Sequence, residues 1–220
     1  MLKAAHRPTY RGRASFIPLV PQGSRDMKQV LSCLLGCSLL VLASPARAQS
    51  IVSGVYLGVL AHDVGFLGSH KEDGADINGE IDFVSPVPYH LIAGINPMFR
   101  WLLDPHPNIG FEANTSGYTS QFYFGLAWTA DLFDAVFTRQ DHIFFTFAFG
   151  PAFNNGDISS TSSNHLSLGS HVLFHPSVEL GYAFTPRYSI SAYFDHSSNA
   201  GLAQHNDGLD DAGVRFGIHF

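Results

Sequence analysis

The chain has 220 residues, of which 45% are hydrophobic and 13% aromatic, and its formal net charge at pH 7 is −6. Residues 49–220 keep only five of the twelve basic residues but seventeen of the eighteen acidic ones, so this part carries a net charge of −12. Nucleic-acid binding depends on Lys and Arg side chains that neutralise phosphates. The composition therefore argues against nucleic acid as a partner.

A secretory signal peptide is predicted over residues 27–48. It begins with the basic stretch Met27-Lys-Gln and continues with an apolar run from Val30 to Ala43, which is too short to span a bilayer as a helix. Ala46-Arg47-Ala48 then forms a small-x-small cleavage site. These features predict export and a mature N-terminus at Gln49.

The signal peptide divides the chain into three parts. Residues 1–26 are an upstream extension for which we predict no structural role, and residues 49–220 form the folded domain. Both cysteines, Cys33 and Cys37, lie within the signal peptide. The mature chain is therefore expected to fold without a disulfide bond.

Eight segments of the mature chain alternate apolar and polar residues with a period of two, which predicts β-strands. Most of them reach the 9–11 residues or so that a tilted strand needs to cross a bilayer. The predicted strands lie near Ile51–His62, Ile77–Val84, Asn108–Thr115, Gln121–Phe133, His142–Phe153, Ser170–Thr185, Tyr188–Ser198 and Asp210–Phe220.

The two faces of these strands predict a membrane barrel. In the sixth strand, His175, Ser177 and Glu179 occupy one face, and the other face is apolar. A polar interior with an apolar exterior is typical of transmembrane barrels, and a lipid-exposed sheet must close on itself to satisfy its edges. The fold class is therefore all-β, an eight-stranded antiparallel transmembrane β-barrel, with a soluble lipocalin-like barrel as the alternative. The connection 85–107 breaks the pattern, and an extra strand or a short helix is expected there.

The last two predicted strands bring three chemically active residues onto one face. His196, Ser198 and Asp210 all share the parity of the apolar row in their strands. Residues i and i+2 lie roughly 6.6 Å apart along a strand, and the carboxylate would come from the neighbouring strand. A hydroxyl, an imidazole and a carboxylate are the components of a nucleophile, its base and the group that orients the base.

The segment His196-x-Ser198-Asn199-Ala200-Gly201-Leu202, with an acidic residue at Asp210, resembles the lipid A 3-O-deacylase family of Gram-negative outer membranes. The stretches Leu168–Phe174 and Glu179–Phe184 are also similar to the family. The family typically carries Glu where this chain has Asp210, which is one methylene shorter. The resemblance implies a catalytic triad of Ser198 as nucleophile, His196 as base and Asp210 as its orienter.

The expected function is that of an outer-membrane serine esterase that removes an ester-linked acyl chain, at the 3-position by resemblance, from lipid A of lipopolysaccharide. The tetrahedral oxyanion needs hydrogen-bond donors. Candidates are Asn206 and the backbone amides near Ala200 and Gly201, while Asn199 is either a further donor or a brace for the loop. The resemblance implies no cofactor and no metal, and the twelve histidines lack zinc-type spacing. Lipid A in the outer membrane is the expected partner, and both a monomer and a homodimer stay open.

Two other functions fit the same pattern. An outer-membrane phospholipase would use the same chemistry on a glycerophospholipid. A structural or adhesion barrel would carry the polar cluster without catalysing a reaction. A serine-directed fluorophosphonate probe would distinguish the structural or adhesion barrel from the two kinds of enzyme.

Overall fold

The structure is a computed structural model that describes residues 51–220, apart from the side chains of residues 97 and 98. The predicted extension 1–26, the signal peptide 27–48 and the predicted mature N-terminus at Gln49 lie outside the described residues.

The described residues form a closed antiparallel barrel in which each strand pairs with its sequence neighbours and the last strand pairs with the first. This confirms the predicted fold class and all eight strands, most of them within two residues of the predicted ends. No helix in residues 51–220 is long and apolar enough to cross a membrane. The strands are β1 Val52–Ala61, β2 Ala75–Phe83, β3 His106–Asn114, β4 Gln121–Asp134, β5 His142–Asn154, β6 Val172–Thr185, β7 Tyr188–Ser197 and β8 Leu209–His219.

The outward face of the barrel is apolar and the interior is polar. Outward side chains such as Leu57, Ile190 and Val214 remain more than half exposed. Inside, Arg215 donates to Glu80 at 3.0 Å and pairs with Glu179 at 3.1 Å. An eight-stranded barrel is just wide enough for side chains to fill. The apolar exterior is the arrangement that lipid requires.

The connections differ at the two ends of the barrel. One end carries the long loops 62–74, 115–120, 155–171 and 198–208, and the other has short turns and the segment 84–105. Three of the long loops meet at Glu72, whose carboxylate accepts hydrogen bonds at 3.0 Å from the backbone amides of Thr119 and Leu166. This end of the barrel is therefore covered by an ordered layer of loops.

The segment before β3, for which a strand or a short helix was expected, forms short helices. They are α1 Tyr89–Ile92, α2 Pro97–Arg100 and a 3₁₀ helix Trp101–Leu103. Arg100 connects α2 with α1 and the turn that follows it. Its guanidinium donates to the Tyr89 hydroxyl at 3.0 Å and to the carbonyl oxygens of Ala93 and Ile95 at 3.2 Å.

Candidate active site

The site is built on the hairpin of β7 and β8. In the register of this pair His196 lies directly opposite Asp210, so both side chains leave the same face of the sheet. His196 Nδ1 lies 2.5 Å from Asp210 Oδ1, which identifies Nδ1 as the protonated nitrogen facing the carboxylate. The shorter Asp side chain therefore reaches the imidazole. The Asp210 side chain is fully buried, whereas the His196 side chain keeps 19% of its surface exposed.

The second oxygen of Asp210 is held by the β1–β2 loop. Asp210 Oδ2 accepts hydrogen bonds from the backbone amides of Leu67 at 2.5 Å and Gly68 at 2.7 Å. Hydrogen bonds to a charged acceptor are the stronger kind. The carboxylate is therefore bound on both oxygens and cannot rotate away from His196 without losing one set of partners.

Two glycines let the outer loops close over this pair. Gly208 adopts a φ of +72°, and a Cβ added there would lie 2.9 Å from His196 Cε1. A Cβ on Gly68 would lie 2.6 Å from the carbonyl oxygen of Gly208. Real Cβ atoms do not approach other atoms this closely, so neither position accepts a side chain without movement of the loops. The absence of side chains at these positions allows the β1–β2 loop to reach Asp210.

The β1–β2 loop is itself anchored by a buried imidazole. His62 Nδ1 lies 2.8 Å from Asp76 and 3.3 Å from Asp211, and its Nε2 lies 3.1 Å from Glu72. Burial opposes protonation of His62, but hydrogen bonds to the three carboxylates outweigh it and raise its pKa from 6.5 to about 12. Burial likewise works against ionisation of Glu72, yet the hydrogen bond with His62 and the amides of Leu166 and Thr119 lower its pKa from 4.5 to about 2.

Ser198 lies just beyond the end of β7, two residues after His196. It forms a β-bridge with Phe174 of β6, with backbone hydrogen bonds of 2.8 and 3.1 Å in the two directions. Within residues 51–220, no hydrogen bond is formed by the Ser198 hydroxyl or by His196 Nε2. A catalytic Ser–His hydrogen bond often forms only once substrate is present, so this arrangement is compatible with a nucleophile and its base.

The residues after Ser198 form a tight turn braced by Asn199. Ala200 and Gly201 both have positive φ, 54° and 77°, and the amide of Leu202 donates to the Asn199 carbonyl at 3.0 Å. The Asn199 carboxamide donates to the Leu168 carbonyl at 2.8 Å and accepts from the Gly201 amide at 2.9 Å. The Asn199 side chain therefore links this turn to the β5–β6 loop through its carboxamide.

The contacts in this turn narrow the set of oxyanion donors. The Gly201 amide is already engaged by Asn199, and the carboxamide oxygen of Asn206 accepts from the Asn199 amide at 2.9 Å. Among the described residues no partner is bound by the Ala200 amide or the Asn206 Nδ2. These two groups remain available as donors, whereas the Gly201 amide, also a sequence candidate, is occupied.

An apolar groove runs along the outer face beside Ser198. It has a volume of about 330 Å³, and Phe174, the bridge partner of Ser198, forms part of its wall together with Leu173 and Leu202. Val172 and Phe174 of this wall belong to the exposed row of β6, and Asn199 and Leu202 come from the turn after Ser198. Its position and apolar lining suit a hydrocarbon chain.

Sequence reasoning identified the hairpin residues but missed the β1–β2 loop. Leu67 and Gly68 act through their backbone amides, which carry no residue-specific signature, and they lie more than 140 residues before Asp210. The one signal in the sequence is the pair of glycines, Gly65 and Gly68, in a loop next to a barrel mouth.

Residues 91–219 match the family described as Lipid A 3-O-deacylase (PagL). This span is more than half of the chain and contains β3 to β8, including His196, Ser198 and Asp210. The chain belongs to the lipid A 3-O-deacylase family. The β1–β2 loop that holds Asp210 lies before the matched span.

Two solved structures are similar to the chain. The crystal structure of the outer membrane enzyme PagL matches with a TM-score of 0.56 and 17% identity, over 76% of this chain and 100% of that chain. The N-terminal β-barrel domain of Pseudomonas aeruginosa OprF matches with a TM-score of 0.39 and 10% identity, over 76% of this chain and 98% of that chain. The comparison with curated proteins found no match. The first likeness agrees with the barrel fold described above.

Proposed function

We propose that the protein is a serine esterase of the bacterial outer membrane that hydrolyses the 3-linked acyl ester of lipid A. The observation that carries the proposal is the His196–Asp210 pair, 2.5 Å apart on the lipid-facing side of the barrel, with Ser198 two residues further along. Membership of the lipid A 3-O-deacylase family supplies the substrate class and the position of the ester.

In this mechanism Ser198 Oγ attacks the ester carbonyl while His196 Nε2 takes its proton. Asp210 holds the ring with Nδ1 protonated and stabilises the imidazolium that forms. The tetrahedral intermediate then collapses, the sugar oxygen leaves with the proton from His196, and the acyl chain remains on Ser198. A water molecule, deprotonated by His196, attacks this acyl-enzyme and releases the fatty acid.

Negative charge develops on the carbonyl oxygen during both steps. The Ala200 amide and the Asn206 Nδ2 are the proposed donors to this oxyanion, because both are close to Ser198 in the chain and engage no other acceptor among the described residues. Removing a single oxyanion donor typically lowers kcat by ~10²–10³. Asn199 has a positioning role, since its carboxamide fixes the turn that carries Ala200.

The substrate would approach from the membrane. The face that carries His196 is continuous with the apolar belt of β7 and β8, and the groove of about 330 Å³ lies beside Ser198. An acyl chain lying in this groove would bring its ester to the outer end of β7 while the sugar stays at the level of the outer loops. No diffusion through the barrel interior is needed.

Lipid A from cells with and without the protein, compared by mass spectrometry, tests the proposal. We expect loss of one ester-linked acyl chain from the 3-position in cells with the wild-type protein and no such loss with Ser198→Ala. Removal of a triad member typically lowers kcat by ~10⁴ or more. A heat-modifiable band in the outer-membrane fraction checks that the variant folds. Unchanged lipid A in the presence of folded wild-type protein would refute the proposed substrate, and a fully active Ser198→Ala protein would refute the nucleophile.

A further inference from the structure

The barrel interior holds far more acidic than basic side chains. The eight strands contain a single Lys or Arg, which is Arg215. Against it stand seven buried carboxylates on the inward faces of the strands, namely Asp76, Glu80, Asp82, Glu112, Glu179, Asp195 and Asp211. An isolated buried charge is expensive unless it is paired or coordinates a metal. The distribution of partners among these carboxylates is therefore informative.

The two available cations are used at separate places. Arg215 pairs with Glu80 and Glu179, and His62 binds the carboxylates of Asp76 and Asp211. Neither Arg215 nor His62 forms an ion pair with Asp82, Glu112 or Asp195. Glu112 accepts hydrogen bonds from the side-chain amides of Asn78 and Gln121, and neither donor is a cation.

Glu112, Asp195 and His175 converge from three different strands, β3, β7 and β6. A ring nitrogen of His175 and one carboxylate oxygen each from Glu112 and Asp195 lie within 4.8 Å of one another. All three residues are at least 97% buried. His175 Nδ1 lies 3.8 Å from Asp195 Oδ1. Within the described residues, Asp195 Oδ2 and His175 Nε2 are buried and have no hydrogen-bond partner. Two carboxylates and an imidazole with unused lone pairs are a metal-ligand set.

Neighbouring side chains orient the imidazole in the form that binds a metal. Ser197 Oγ donates to the Gln121 carboxamide oxygen at 2.7 Å, so it accepts from His175 Nδ1 at 3.0 Å. A neutral ring with Nδ1 protonated has its lone pair on Nε2, the unpartnered atom. The Tyr123 ring stacks on the imidazole with centroids 4.3 Å apart. Such outer partners of a ligating histidine fix its tautomer and orientation.

We propose that Glu112, His175 and Asp195 form a structural site for a divalent cation of the Zn²⁺ type inside the barrel. A mixed nitrogen and oxygen set favours Zn²⁺ over Mg²⁺ or Ca²⁺, which prefer oxygen ligands alone. The ion would compensate two carboxylates that pair with neither Arg215 nor His62. The site lies on the opposite face of β7 from His196 and takes no part in the proposed esterase reaction.

The test uses the barrel of residues 49–220 refolded in detergent with Zn²⁺ present, followed by brief chelation of surface-bound metal and desalting. Refolding with the metal is needed because the ordered outer loops cover the mouth of the barrel. We expect one Zn²⁺ per chain by mass spectrometry of the metal, and an increase in the temperature of unfolding relative to protein refolded in chelator. Protein refolded with Mg²⁺ should show neither effect.

Variants separate this site from adventitious binding. His175→Gln and Asp195→Asn should weaken Zn²⁺ binding by more than ~100-fold, since even outer-shell changes cost 10–100-fold. His171→Gln is the matched control, because His171 lies four residues before His175, next to the start of β6, and is exposed. It should keep the bound Zn²⁺. Equal metal content in the wild type and a folded His175→Gln protein would overturn the proposal.

A further measurement on the wild-type protein tests the proposal even where the variants do not fold. Wild-type protein refolded with Co²⁺ should show the visible absorption of a low-symmetry cobalt site with nitrogen and oxygen ligands. If folded wild-type protein showed neither this spectrum nor one bound Zn²⁺ per chain, the proposal would be overturned without any variant. In that case a proton shared between Glu112 and Asp195 would compensate the charge instead.

Discussion

The Gly68→Ala variant tests whether the β1–β2 loop positions Asp210, the proposed orienting carboxylate. The added Cβ would lie 2.6 Å from the Gly208 carbonyl oxygen and 2.9 Å from that of Asp207, so the loop must move away from the β7–β8 loop. That movement weakens the hydrogen bonds from the Leu67 and Gly68 amides to Asp210 Oδ2. We therefore expect a defect in catalysis without a loss of the barrel fold.

The size of the effect follows from the two hydrogen bonds. A hydrogen bond to a charged group contributes roughly 1.5–3 kcal/mol, and water replaces part of it once the loop has moved. If the equivalent of one such bond is lost in the transition state, kcat falls by about 10- to 100-fold, because about 1.4 kcal/mol corresponds to tenfold in rate. The KM should stay nearly constant, since the loop contacts Asp210 and not the proposed acyl groove.

The assay is the release of fatty acid from lipid A in mixed micelles, with kcat and KM determined separately. Gly94→Ala is the matched control, because no atom lies within 4 Å of a Cβ added at Gly94. Heat modifiability on gels checks the fold of both variants. A folded Gly68→Ala protein with kcat within twofold of wild type would show that the loop amides do not position Asp210.

Three further predictions concern the acid, the loop anchor and the lipid-facing surface. Asp210→Asn must turn an NH₂ group towards either His196 or the loop amides, so kcat should fall by up to ~10⁴, less than in Ser198→Ala, in the fatty-acid release assay; near-normal kcat would contradict the orienting role. The raised pKa of His62 gives stability that is complete below pH 6.5 and is lost as the pH rises towards 12, while the lowered pKa of Glu72 gives stability that is complete above pH 4.5 and is lost as the pH falls towards 2. Stability against urea should therefore fall below pH 4.5 on account of Glu72 and above pH 6.5 on account of His62, and His62→Gln should remove the alkaline decline; a decline that persists in this variant would assign it to another group. Phe194→Gln should reduce turnover of membrane-embedded lipid A more than that of a short soluble ester, with Ile190→Gln lower on the same face as control; equal loss on both substrates would argue against entry from the membrane.

The fold could be predicted because a strand with one face in lipid and one inside a barrel has a strict period of two. Tyr188 to Asp195 shows this pattern, and its odd-numbered residues are indeed buried while Tyr188, Ile190 and Ala192 face outward. The parity of β8 then determined that Asp210 would face the same side as His196. A hairpin relates residues that are close in the chain, so its register can be read from the sequence alone.

The remaining parts of the molecule depend on contacts between distant residues and could not be read in this way. Asp210 is held by backbone amides of a loop more than 140 residues earlier, and backbone groups leave no mark on composition. The carboxylates and imidazole inside the barrel come from β3, β6 and β7, so their grouping has no linear spacing. In the segment 84–105 the guanidinium of Arg100 bonds to the Tyr89 hydroxyl and the Ala93 carbonyl, and contacts of this kind leave no periodic pattern in the sequence.

Strand β7 contributes both to the candidate active site and to the barrel interior, because its successive residues face opposite sides of the barrel wall. His196 points towards the membrane side, while Asp195 and Ser197 on either side of it are fully buried in the interior. Ser197 is bound there by Gln121 and His175. The backbone that carries His196 is therefore fixed from within the barrel, and a slip of one residue would move Asp195 into lipid and His196 into the interior. Interior packing of this kind gives the proposed site a rigid support, which a catalytic group at the edge of a membrane requires to hold its geometry.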